Sequence, residues 1–110
     1  MSAAYDRAKL GELFGNDAAT IAAVEREFFD TARDAAREIA DTDDFAEIAR
    51  AAHRVKGASG MIGAARLHRI AETVERAAKV ADLAGVRRLQ RDFDREVLRV
   101  AEQAALHASA

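Results

Sequence analysis

The stretch "FAEIARAAHRVKGASG", residues 45–60, decides the fold. Phe45, Ile48, Ala52, Val55 and Ser59 recur at three- and four-residue spacing. That is the period of one face of an α-helix. "DTDD" at 41–44 breaks the preceding pattern and offers caps for it, so a helix is expected from about 44 to 60. The segment nevertheless carries Gly57 and Gly60, and a helix-interior glycine costs roughly 1 kcal/mol against alanine. A chain in which a quarter of the residues are alanine has a better helix former at hand. The two glycines therefore need a reason, and His53 stands close by.

The same period extends outward in both directions. Upstream, Ile21, Val24, Phe28, Ala32, Ala35 and Ile39 predict a helix over about 17–40, with Glu25, Arg33 and Arg37 off its apolar stripe. Asn16 or Asp17 is its N-cap candidate. A shorter helix at 4–14 carries Tyr5, Leu10, Leu13 and Phe14, and Gly15 is its stop. Downstream, "GMIGA" (60–64) reads as a loose connection or a distorted last turn, with Gly60 partly a helix-end signal. Leu67, Ile70, Ala71, Val74 and Ala78 then predict a helix from about 64 to 80. Asp82 caps a last one, about 83–106, with Val86, Leu89, Phe93, Val97 and Val100 facing inward. The tail "LHASA" should fray.

Four long amphipathic helices with short links predict an all-α fold, an antiparallel up-down-up-down four-helix bundle spanning 17–106. The short extra N-terminal helix at 4–14 should cover one end. At 110 residues the chain 1–110 is expected to be a single domain that buries roughly two-thirds of its unfolded surface. There is no Pro and no Cys. The missing Cys excludes disulfides and thiolate metal sites and fits a cytoplasmic setting. No apolar run approaches the ~20 residues of a membrane span, so no membrane contact is expected. The net charge of −2 argues against nucleic acid.

On a helical wheel His53 lies on the solvent side of the third helix. Ala49, Gly57 and Gly60 share that outer face, and Lys56 lies between His53 and the core edge. The imidazole thus stands on a strip almost bare of side chains, which suits the close approach of another protein. A neutral imidazole keeps a lone pair on one ring nitrogen and can attack a phosphoryl group. Lys56, one turn away, can offset the arriving charge. Lysine occurs only at 9, 56 and 79, so Lys56 is not part of a general lysine coat.

At these residues the chain resembles the histidine-containing phosphotransfer (HPt) domains of bacterial phosphorelays. Their pattern is H-x-x-K-G-x-[SA] followed by a small-residue turn. "HRVKGASGMIG" matches it at His53, Lys56, Gly57 and Ser59. The likeness extends over about residues 5–106, through "LFGND" and "GAARLHRIAETVE", and is closest to the C-terminal HPt modules of hybrid sensor histidine kinases. The resemblance implies a phosphocarrier without kinase activity of its own. His53 would take a phosphoryl group from a receiver-domain Asp and pass it to a response-regulator Asp. It also implies that Glu75, 22 residues beyond His53, orients the imidazole through its other nitrogen. On the wheel Glu75 sits at the edge of the fourth helix's apolar stripe, and Glu72 points further out. No cofactor is expected, with Mg²⁺ on the partner receiver domain only.

Simpler readings stand beside these. Ser59 falls on the core side of its helix and reads as a packing residue. Arg50 and Arg54 are rim contacts for an acidic receiver or ordinary solvated charges. His68 and His107 lack metal-ligand spacing, so no metal site is expected. Two other functions remain open. One is the dimerisation and phosphoacceptor helix pair of a sensor kinase, against which His53 lacks a following acidic residue and a downstream Pro. The other is an interaction bundle that is never phosphorylated. Because the chain supplies its own four helices, it is expected to be a monomer.

Overall fold

The computed structural model describes residues 3–109. It contains five helices: α1 (Arg7–Phe14), α2 (Ala18–Asp41), α3 (Phe45–Ile62), α4 (Ala65–Lys79) and α5 (Leu83–Ser109). No strand occurs among the described residues. Aspartates start four of the helices. Asp6, Asp17 and Asp44 each accept a hydrogen bond from a first-turn N–H, at 3.2 Å from Lys9, 3.2 Å from Thr20 and 2.8 Å from Ala46. Asp82 accepts from Gly85 N–H at 2.9 Å. Each satisfies donors that the helix cannot pair internally.

The four long helices close a ring, with α2 and α4 each packed on both α3 and α5. The whole measures 43 × 22 × 21 Å. Phe93, Ile39, Ile48, Leu67, Val55, Val74, Val86 and Val100 are the large apolar side chains buried at its axis. The alanines Ala32, Ala35, Ala51, Ala52 and Ala71 are fully buried between them and let the helices approach closely. Arg87 of α5 fastens the α2–α3 link. Its guanidinium donates to the carbonyls of Ile39 and Thr42, both at 2.7 Å, which α2 leaves unpaired at its C-terminus.

Four expectations need correction. Helix α1 begins at Arg7 and not at residue 4, because Asp6 has an extended backbone (φ −99, ψ 99) and caps the helix by accepting from Lys9 N–H; the Ala4 and Tyr5 N–H groups ahead of it donate to Gln103 Oε1 of α5. Helix α3 continues past Gly60 to Ile62. Its stop is Gly63, in the left-handed region (φ 73, ψ 26), where it donates to Ser59 C=O. A Cβ at Gly63 would meet Asp6 Cβ at 2.9 Å, so both conformation and close approach require glycine there. Helix α5 runs to Ser109, since no Gly or Pro follows Gly85 to end it; Ala110 lies outside the described residues.

The fourth correction concerns Glu25, which is buried and not on the solvent face of α2. The N-terminal segment covers it. The Tyr5 hydroxyl donates to Glu25 Oε2, and Arg7 Nε lies 4.0 Å from the same oxygen. Burial, aided by this carboxylate, holds the Tyr5 phenol well above its ordinary pKa.

Candidate functional site

Helix α3 presents His53, and α4 presents the group that meets it. The imidazole is 68% exposed, yet its Nδ1 lies 2.9 Å from Glu75 Oε2. Glu75 itself is buried to within 7% of its side-chain surface. A buried carboxylate needs donors. Lys56 Nζ donates to Oε1 at 2.7 Å, and Lys79 Nζ stands 3.4 Å from Oε2. One carboxylate thus holds three nitrogens, and His53 and Lys79 share one of its oxygens.

The consequence for the imidazole is chemical. An ionised carboxylate is an acceptor only, so Nδ1 carries the proton. The lone pair is left on Nε2, the nitrogen away from Glu75. The hydrogen bond from Lys56 holds the Glu75 carboxyl below the usual range, against its burial; the His53 hydrogen bond and the charges of both lysines help. These donors keep the carboxylate in its ionised, accepting form.

A carboxyl with a lowered folded-state pKa stabilises the fold above its unfolded pKa, and that contribution is lost as pH falls through the folded value. The wild type should lose stability below about pH 4.5 in part through Glu75, while Glu75→Gln should lose less over the same window. Urea midpoints measured from pH 6 to pH 3 check this; parallel curves for the two proteins would contradict it.

Ala49, Arg50, His53, Arg54, Glu75 and Lys79 line an open cleft of about 480 Å³ beside the imidazole. Arg54 is paired with Glu38 across the α2–α3 groove, whereas Arg50 makes no ion pair among the described residues. Gly57 lies on open ground, with nothing within 4 Å of where its Cβ would be. Gly60 differs, because its Cβ would lie 3.4 Å from His68 Nδ1. His68 leans over Gly60 and bonds the Lys56 carbonyl at 2.8 Å. Gly60 therefore makes room for a neighbouring side chain as well as leaving the strip low. Glu72 turns aside and pairs with Arg76 at 2.7 Å. Ser59 is fully buried, its hydroxyl donating to the Val55 carbonyl.

The structure thus gathers His53, Lys56 and Glu75, with Ala49, Arg50, Arg54, Gly57 and Gly60 around them. Lys79 is the member that sequence reasoning missed. Its signal was available: it lies four residues beyond Glu75, one helical turn away on the same face. No group of three or more His, Cys, Asp or Glu side chains that could hold a metal ion occurs among the described residues. No helix among them is long and apolar enough to cross a membrane.

A family model described as the Hpt domain matches residues 20–105. Neither the curated proteins nor the solved structures yield a match to the chain.

Proposed function

Because the chain belongs to the Hpt-domain family, whose members are phosphocarriers and not enzymes, we propose that His53 Nε2 is the atom that carries the phosphoryl group. The single observation that supports this most is the geometry at Nδ1. An imidazole that is mostly exposed is held at 2.9 Å by a buried carboxylate, which leaves Nε2 unprotonated and outward. In the transfer, the Nε2 lone pair attacks phosphorus of an aspartyl phosphate. The N–P bond forms, the P–O bond breaks, and its electron pair leaves with the aspartate as carboxylate. The ring gains a positive charge that Glu75 offsets, and the return step runs the same bonds backward to a second aspartate.

In this reading the donor and acceptor are receiver domains of a hybrid histidine kinase and a response regulator. Mg²⁺ belongs to the receiver, and this chain needs no cofactor. The chain is one HPt unit acting as a cytoplasmic monomer. Its helices run up-down-up-down in an antiparallel four-helix bundle, an arrangement supported by the short links and by the neighbours each helix packs on. Incubation with a phosphorylated receiver domain and Mg²⁺ tests the reading, with label expected on this chain. Label taken from ATP by the chain alone would contradict it.

The proposal assigns the outer face of α3 to the receiver, with Ala49, Arg50, Arg54, Gly57 and Gly60 as its contacts. Gly57 gives a test in which stability and transfer move apart. Nothing obstructs a Cβ there, so Gly57→Ala should stabilise the fold by roughly 1 kcal/mol. Gly57→Leu should also fold, yet slow transfer at least tenfold by standing in the receiver's way. Denaturant midpoints and transfer rates measure the two effects. Undiminished transfer in Gly57→Leu would place the docking surface elsewhere.

A further inference from the structure

Two lysines hold Glu75, and their positions differ in kind. Lys56 Nζ is 2.7 Å from Oε1, with its side chain 26% exposed. Lys79 Nζ is 3.4 Å from Oε2, with its side chain 65% exposed. Lys79 lines the cleft beside the imidazole together with Arg50 and Arg54; Lys56 does not. The short bond from Lys56 is part of what keeps a buried carboxylate ionised, and withdrawing it would leave Glu75 under-compensated. The longer contact of Lys79 joins an exposed ammonium to that carboxylate at 3.4 Å and is the weaker of the two.

We propose that Lys79, at the open side of the cleft, is the lysine that meets the phosphoryl group, while Lys56 is a positioning residue that acts through Glu75. This rests on the reading of His53 as phosphoacceptor. The shared oxygen supplies the mechanism. Before transfer the ring is neutral, and His53 Nδ1 and Lys79 Nζ both stand at Glu75 Oε2. After transfer the ring is cationic and claims that oxygen more strongly. Lys79 is then the more weakly held cation, on a flexible four-carbon stem, next to a group that has just brought in negative charge. It turns from the carboxylate to the phosphoryl oxygens. Arg50, which has no ion pair among the described residues, lines the same cleft and adds to the field there. No bond beyond those of the transfer is made or broken, since Lys79 contributes only charge and hydrogen bonds.

The roles separate under substitution. Wild type, Lys79→Ala, Lys79→Arg and Lys56→Ala are each equilibrated with one phosphorylated receiver domain and Mg²⁺. The phosphorylated fraction is read from label, and the His53 tautomer of the unphosphorylated proteins from ¹⁵N ring shifts. Lys79→Ala should lower the transfer equilibrium constant about tenfold and leave Nδ1 protonated, because Glu75 and Lys56 are intact. Lys79→Arg should recover most of the loss. Lys56→Ala should shift the tautomer towards Nε2–H. The proposal is overturned if Lys79→Ala takes label as fully as wild type, or if its tautomer shifts as that of Lys56→Ala does. Failure of the wild type to take label from any receiver would instead overturn the phosphocarrier reading itself.

Discussion

His53→Gln takes no phosphoryl group from a phosphorylated receiver domain that labels the wild type, and it folds as the wild type does. Both halves follow from the site. Glutamine can donate an amide N–H toward Glu75, so the buried carboxylate keeps a partner where Nδ1 stood. Its nitrogen lone pair is delocalised into the amide, however, so no nucleophile remains. The side chain replaced is 68% exposed, and its removal takes little from the core. The expected pair of results is label below detection and an unchanged melting temperature. Label on His53→Gln at the wild-type level would move the acceptor to another residue.

The next largest loss is expected from Glu75→Ala. Three effects combine. The imidazole loses the acceptor at 2.9 Å that keeps the proton on Nδ1, so part of the population carries it on Nε2 and cannot attack. The cationic ring formed in the transfer loses its counter-charge. Lys56, three-quarters buried, loses the carboxylate it donates to at 2.7 Å. Removing the partner that orients a metal-bound histidine costs about 10–100-fold, and a loss of that order is expected here in the transfer rate. Glu75→Gln keeps an acceptor oxygen without the charge, and should fall between Glu75→Ala and the wild type. Rapid-quench transfer rates measure the series. A Glu75→Ala rate within twofold of wild type would show that the imidazole needs no partner.

Much of this architecture could be read from residue spacing. The stripes of α2 to α5 have a 3.6-residue period, and Asp17, Asp44 and Asp82 cap where caps were expected. The pairing of His53 with Glu75 was legible for a different reason. It came from the resemblance, and the wheel placed Glu75 only at a stripe's edge. What the spacing hid depends on contacts between distant segments. Glu25 lies where a charged face was expected, yet Tyr5, 20 residues earlier in the chain, covers it. The segment ahead of α1 is tied down by Gln103, near the other end of the chain. Gly60 looks like a helix stop when read locally. Gly63 is the stop because only there does the chain reverse against Asp6. Lys79 differs, because its contact with Glu75 is local, one helical turn away, but it lies outside the motif that the resemblance matches.

The central claim is that one nitrogen, His53 Nε2, carries the phosphoryl group. The most direct measurement is to phosphorylate the wild type from a receiver domain, digest it at alkaline pH and locate the modified residue by mass spectrometry, with ³¹P and ¹⁵N spectra of the intact protein identifying the nitrogen. A single phosphoryl group on His53, stable to alkali and labile to acid, with phosphorus bonded to Nε2 and the proton on Nδ1, is the predicted result. Phosphorus on Nδ1, an acid-stable modification or a phosphoryl group on any other side chain would contradict it.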